Sequence, residues 1–502
     1  MKNKIIILLF ILIIFIGILL RIYNLGKYNF WRDEVFSVLV AKGIAPWDMA
    51  SYSYLIDSPL FCLFLRLWLK LGDSEFILRL FPFIFGVLSI PAIYLVAKEL
   101  FDKKVGLISA FILTISPFHI YYSQELRTYS LVTFLVLIAI YCLIKSLKEN
   151  RIFSWVGFVI FTTLTIYSHN MALLLLIAIN FYIFYFYKKY KVIFRRWLTS
   201  QFFILLFYLP WVEVILKQIA HIKAANFYNW LPKDYLFNII QTFLIFNLGY
   251  NANTIINLLA ILLILPLFIF VIYDKIYKEE IYMLLWWLFI PLIIVIMFSI
   301  MIFPAYIIRT TIYLSAVYYI IVSYGLSKLK PNKIYLYFLL FFIILTAISL
   351  KNYYQNIFPS PEFPYSVGFH PRMEFKLASN YINQNYQNGN IVVDTGGFFG
   401  VTYLPFLYYC ASRLEGKIFV VTSQDYASLI NSKVDEKIKV KYTDLNEIQK
   451  KNYKRLWLIS SSFGNDQKNP FSKNIIEYLN RNYTMMDTKD FVGIKIRFYQ
   501  KR

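Results

Sequence analysis

The chain is written in long apolar runs separated by short polar clusters. Ile5–Leu20 is apolar throughout after the basic start "MKNK". It exceeds the apolar core of about 7–15 residues in a cleaved leader. No small-x-small cleavage site follows, so a retained first span is expected, with Lys2 and Lys4 keeping the N-terminus cytoplasmic. Ten further runs approach the length of a bilayer span: Ile77–Ala97, Val105–Tyr122, Thr128–Ile144, Ile152–Tyr167, Met171–Tyr187, Leu198–Leu216, Ile255–Tyr273, Ile281–Phe303, Ile307–Gly325 and Ile334–Leu350. The pattern predicts a mainly α, polytopic transmembrane bundle of about eleven spans.

One apolar stretch is too short. "SPLFCLFLRLWLKLG", Ser58–Gly72, gives roughly 21 Å of helix against about 30 Å of hydrocarbon. Cys62, Arg66 and Lys70 recur every four residues, and Pro59 suits a first helical turn behind a Ser58 cap. This is the pattern of a helix lying in the interface. Counting it as a span would invert everything downstream. With eleven spans, the clusters "KELFDKK", "KSLKENR", "KKYKVIFRR", "YDKIYKEE" and "SKLKPNK" fall on one side, and the turns "SHN" and "FPAY" on the other. Basic residues concentrate in cytoplasmic loops, so the eleven-span parity is preferred. Tyr23 to Phe76, Lys217 to Asn253 and everything beyond about Lys351 are then extracytoplasmic.

Beyond Lys351 the pattern changes. "NIVVDTGG", "KIFVVTS" and "RLWLISSS" read as buried strands, and "FKLASNYINQNY" and "SKNIIEYLNRNY" as amphipathic helices. Two domains are expected: a membrane domain over 1–351 and a small extracytoplasmic α/β domain over 352–502. "DTGGFFG", Asp394–Gly400, has the form of a phosphate loop, but a Gly-Gly turn after a strand is usually just a turn.

Composition agrees. Of 502 residues, 59% are hydrophobic and only 16% charged, against about 25% charged in soluble domains. The net charge of +23 belongs to cytoplasmic loops rather than to nucleic-acid binding. The three cysteines, Cys62, Cys142 and Cys410, form no C-x-x-C pair, so a thiolate zinc site is not expected.

The chemistry gathers on the outer side. Asp33 and Glu34 follow the first span within an aromatic belt of Tyr28, Phe30 and Trp31. In "SPFHIYYSQELRTYS", Ser123 can cap a new helix and Glu125 suits its positive end, whereas Arg127 there calls for an anionic partner: Glu125 or a bound phosphate. His169 lies in the tight "SHN" turn, where capping or packing is the commoner role. Arg309 lies just inside the tenth span, where a charge needs a cavity or a partner. Glu213, near the outer end of the seventh span, could be that partner. Acids, arginines and a histidine at this depth fit group transfer from a lipid phosphate to a hydroxyl, with a carboxylate as general base and cations stabilising the departing charge.

"WRDE", "SPLF…LRLWLKLG", "SEFILRLFP", "SPFHIYYSQELRTYSL" and "YSHNMALLLL" together resemble the GT-C superfamily, and within it glycosyltransferase family 39, over about Leu20–Leu329. The resemblance implies a polyprenyl-phosphate-sugar donor, inversion, and a catalytic acid in the first outer loop. Asp33 would be the base and Glu34 its neighbour, with Glu125 a second acid and Arg127 and Arg309 contacts to phosphate or sugar. "NWLPKDYLFNIIQTFL" from Asn229 is similar to the family's interfacial segment near the lipid carrier. Family members often carry His-Pro-Pro or Lys-Pro-Pro before the interfacial helix; here the sequence is Asp57-Ser58-Pro59. Asp57 could therefore contact substrate, or join Asp33 and Glu34 around a divalent cation. The implied acceptor is a glycan, lipid or protein hydroxyl, and the implied location the plasma membrane. Two other classes fit less well. A lipid-pyrophosphate-dependent polymerase or ligase does not call for the acid pair after the first span. A transporter or flippase favours internal repeats and mid-membrane charges, and neither is seen.

Overall fold

The computed structural model describes residues 2–43, 59–224, 233–250, 252–329, 331–357, 372–387, 390–394, 403–410, 418–421, 441–443, 445–461 and 470–502. Each of the eleven expected spans coincides with helix. Among the described residues, eight helices are long and apolar enough to cross a membrane, and a bent pair makes a ninth if it is one span. Ile152–Ser168 and Asn170–Tyr185 are shorter apolar helices, so the count of eleven is not reached by length alone. Tyr235–Leu248, expected in an outer loop, is a third short apolar helix.

The bend lies between Lys103–Ile115 and Pro117–Ser123, whose axes differ by 62°. Pro117 has no N–H to offer the carbonyl of Leu113, so the ladder breaks there. Ser116 caps the second piece by accepting the His119 N–H at 3.2 Å. The loosened carbonyls are taken by Arg21, wholly buried at the end of the first helix. It donates to Leu113 O at 2.9 Å and Thr114 O at 3.0 Å, and its guanidinium lies 3.0 Å from His119 Nδ1. Away from water, such groups must find protein partners. Ser123 ends this helix rather than capping the next one, which begins at Tyr129.

Helix Ile312–Lys328 runs through the centre, with Ile312 to Leu326 buried without a break. Peripheral helices face outward with apolar side chains, as Leu258, Leu262, Leu265 and Ile269 do on Thr254–Tyr273. The short helix Pro59–Trp68 continues as a 3-10 turn to Leu71. It buries Phe61, Cys62 and Leu65 and exposes Leu63, Phe64 and Leu67, as expected at an interface. Cys62 faces the bundle, whereas Arg66, one turn on, is exposed.

Among the described residues the C-terminal part carries a six-stranded sheet: β1 (Ile391–Asp394), β2 (Ile418–Val421), β3 (Lys441–Thr443), β4 (Arg455–Ser461), β5 (Tyr483–Phe491) and β6 (Ile494–Lys501), in the order β3-β2-β1-β4-β6-β5. The first four strands are parallel, and a C-terminal antiparallel hairpin completes the sheet. Helix Phe375–Asn385 packs on one face, Leu445–Lys451 and Pro470–Asn482 on the other.

The bundle has two unlike ends. Helix Glu75–Leu100 starts beside the C-terminal part, where Glu75 meets Lys376, and ends where Glu99 meets Lys145. Its 26 residues span about 39 Å. At the far end the basic loops contact one another: Lys104 reaches Ser327 O, Lys189 pairs with Glu279, and Lys328 with Asp274. The sheet and the acid pair share the other end.

Candidate active site

Helix Arg32–Ala41 begins directly after Trp31 and carries both acids in its first turn, where the helix dipole favours negative charge. The two carboxylates leave the helix in different directions and meet different partners.

Glu34 is buried and saturated. Its Oε1 accepts Arg79 Nε at 2.8 Å and the Leu126 N–H at 2.7 Å. Its Oε2 accepts Arg79 Nη2 at 2.7 Å and the Trp31 N–H at 3.2 Å. Arg79 spends its other N–H groups on the carbonyls of Tyr28, at 2.6 Å, and Asn29, at 3.0 Å. Its guanidinium also lies over the Phe30 ring. One buried ion pair thus ties together the approach to the acid helix, the helix start and the loop of Glu125. Arg79 was not singled out as a site residue from the sequence, because "LRLF" has the look of a span flank.

Asp33 is partly exposed, 20% at the side chain, and 3.5 Å from Arg309 Nη2. Arg32 Nη1 lies 3.8 Å away on the other side. Arg309 sits in a 3-10 turn, Ile308–Thr311, at the head of the central helix, with its guanidinium over the Trp31 ring. The expected alternative pairing with Glu213 is not made. Glu213 is exposed and bonds Lys217 one turn along its own helix. Arg127 Nη1 donates to Ser37 Oγ at 2.8 Å and to the Asp33 carbonyl at 3.3 Å, lying along the acid helix.

Glu125 is buried, and its Oε1 has no hydrogen-bond partner among the described residues. Burial and then the nearby Glu34 charge push its carboxyl up to about 8, against the opposing pull of Arg309 and Arg127. The group is therefore mainly a neutral acid at pH 7. His169 accepts the Met171 N–H on Nδ1 at 3.2 Å, which leaves Nε2 to carry the proton. Burial, with Arg127 and Arg309 close by, holds its imidazole down to about 3, so the ring is neutral.

Asp33, Glu125, Arg127, His169 and Arg309 thus cluster together, with the buried Glu34 beside them. Asp57 lies outside the described residues, as do residues 395–400 of the Gly-Gly stretch and 229–232 of the "NWLP" segment. The cation set of Asp33, Glu34 and Asp57 does not fit Glu34, whose oxygens are filled by N–H donors, two of them from a cation. Among the described residues no group of three His, Cys, Asp or Glu side chains is placed to hold a metal ion.

The sequence profile of the family described as dolichyl-phosphate-mannose-protein mannosyltransferase matches residues 57–213. It takes in Glu125, Arg127 and His169 but neither Asp33 nor Arg309. A search of curated protein sequences finds no match. Among solved structures, ArnT from Cupriavidus metallidurans superposes with a TM-score of 0.60 at 12% identity, covering 97% of each chain. The same protein bound to undecaprenyl phosphate gives 0.60 at 11%, with 97% of each chain covered. The oligosaccharyltransferase AglB from Archaeoglobus fulgidus, in complex with an inhibitory peptide and a dolichol-phosphate, gives 0.54 at 14%, over 92% of this chain and 70% of that one. The chain therefore shares the fold of these membrane glycosyltransferases and, over residues 57–213, the sequence pattern of the dolichyl-phosphate-mannose-protein mannosyltransferase family.

Proposed function

We propose that the protein transfers a sugar, with inversion, from a polyprenyl-phosphate donor to a hydroxyl acceptor on the extracytoplasmic face of the plasma membrane. The observation that carries this reading is Asp33. It is a partly exposed carboxylate beside Arg309, in a cluster with Arg127, His169 and a neutral Glu125. Asp33 takes the acceptor hydroxyl's proton as its oxygen attacks the anomeric carbon. The bond from that carbon to the phosphate oxygen breaks, and its electron pair leaves with the polyprenyl phosphate. Arg309 and Arg127 stabilise the charge that develops there, and no strong acid is needed for a phosphate leaving group. Glu125 and the His169 Nε2–H supply neutral donors to sugar or phosphate oxygens. Glu34 acts through the turn it holds, not on the substrate, and no step runs through a metal ion.

The relatives support the donor class. One solved neighbour holds undecaprenyl phosphate and another a dolichol-phosphate. The test is to incubate the purified protein with radiolabelled polyprenyl-phosphate sugars and follow release of free lipid phosphate. Release with no sugar of the panel would remove this reading. Orientation is tested in a Cys-free background with a single cysteine at exposed Lys489 and an impermeant maleimide. Labelling of intact cells is expected; labelling only after lysis would overturn the eleven-span parity.

A further inference from the structure

The segment that delivers Asp33, Tyr28 to Trp31, is held from two sides. From below, Arg79 binds the carbonyls of Tyr28 and Asn29. From above, three consecutive residues are each taken by a different residue of the C-terminal part. The Arg372 guanidinium lies over the Tyr28 ring, 4.6 Å from its centroid. The Lys376 N–H donates to Asn29 Oδ1 at 3.1 Å. The Tyr409 hydroxyl accepts the Phe30 N–H at 2.8 Å and donates to Glu75 Oε1 at 3.0 Å.

These contacts are not confined to one loop tip. Arg372 also lies over Tyr353 and reaches Gln124 Oε1 at 3.3 Å, on the residue beside Glu125. Gln124 in turn donates to the carbonyls of Arg21 and Tyr23 at the end of the first helix. Lys376 Nζ pairs with Glu75 at 3.3 Å, so Glu75 serves two C-terminal residues at the head of its helix. Helix Tyr403–Tyr409 packs on the acid helix itself, with Tyr408 edge-on to Phe30. Without these partners the Phe30 N–H and the Asn29 side chain would lose their bonds, and the segment would be held from the Arg79 side alone. A loop ordered by few contacts opens readily, and displacement of about 1 Å at a reacting group costs about 10²-fold in rate.

We infer that the C-terminal part completes the active site, and that Tyr409 and Arg372 are positioning residues that fix the Asp33 turn. Neither touches the reacting atoms; each acts through Tyr28–Phe30. The kinetic half of this inference rests on Asp33 as the base; the structural half does not.

Full-length Tyr409→Phe, Arg372→Ala and the double variant are the test. Tyr409→Phe keeps the ring and removes only the hydroxyl, so it preserves the packing of the helix. Hydrogen–deuterium exchange of peptides covering residues 28–36 is expected to speed at least tenfold, with exchange in Tyr129–Glu149 unchanged. The kcat for lipid-phosphate release should fall about tenfold for Tyr409→Phe and further for the double variant, with little change in donor KM. A structural role alone would lower the yield of active protein and leave the kcat of the folded fraction intact. Wild-type exchange at 28–36 in both single variants would overturn the inference, as would faster exchange with unchanged kcat. If wild-type protein releases no lipid phosphate from any donor, the proposed function fails, while the exchange result still decides whether the C-terminal part holds the turn.

Discussion

Two arginine–carboxylate pairs lie one residue apart at the acid turn, and they are built to opposite specifications. The lower pair, Glu34–Arg79, is buried, two-pronged and closed off by backbone donors. The upper pair, Asp33–Arg309, is a 3.5 Å approach with the carboxylate partly open to solvent. A carboxylate with four N–H donors has no lone pair left for a substrate proton and no reason to move. One partly open to solvent beside a cation can accept a proton. Breaking a buried pair is costly because the survivor is left charged and unsatisfied, whereas an exposed pair contributes little to stability. The comparison gives two adjacent carboxylates different surroundings, and the proposed function assigns the chemistry to the open one.

The sharpest way to break it is to exchange the expected losses. Asp33→Asn should lower transfer by about 10²–10⁴-fold, the scale of a lost general base, and leave the unfolding temperature unchanged. Near-normal turnover would pass the role to Glu125. Glu34→Ala should do the reverse, destabilising the fold by about 3–5 kcal/mol through the orphaned Arg79. Thermal unfolding in detergent measures it. A Glu34→Ala protein that melts like wild type yet is inactive would give Glu34 the chemistry after all.

Smaller effects sharpen the upper pair. Arg309→Ala and Arg127→Ala should each raise the donor concentration needed for half-maximal rate by about 10- to 100-fold, the equivalent of a hydrogen bond to a charged group. Lysine should rescue only in part, since it lacks the planar fork. Unchanged donor dependence would make both residues structural.

Glu125 gives a pH test. Its native value near 8 lies above its ordinary value of 4.5. Between those two pH values the unfolded chain gives up a proton that the native state keeps, so stability falls as pH rises through that window and levels off above it. Glu125→Gln should flatten that slope in melting temperatures from pH 5 to 8. Parallel slopes would place the ordinary carboxyl value back on Glu125. The smallest expected effect is a chelator: EDTA should change turnover by less than about twofold, and a larger loss restorable by one divalent ion would reinstate a cation at the site.

Much of this was legible in the chain. Runs such as Ile77–Ala97 are helical because no other structure satisfies backbone groups in hydrocarbon, and the basic clusters marked one end of the bundle. The short helix at Pro59 followed from its length and its proline. In the C-terminal part, "IVVD" and "RLWLIS" were readable as buried strands because they are short apolar runs. The β5–β6 hairpin was not, because β5 is an edge strand with a nearly continuous exposed face and carries no alternation to read.

The sequence by itself determined a mainly helical membrane architecture and singled out Asp33, Glu125, Arg127, His169 and Arg309 as candidates, since hydropathy and charge patterning depend only on local composition. What it could not determine was that the two adjacent carboxylates meet different partners. Asp33 and Glu34 are neighbours of like chemistry, and their difference lies in partners 45 and 276 positions away, Arg79 and Arg309. Nor could it tell that Tyr409, 379 positions beyond Phe30, would reach back to the acid turn. Hydropathy patterns register the environment a segment needs. Which side chains meet across the bundle depends on how its helices pack and on where the C-terminal part docks, and only the tertiary structure carries that.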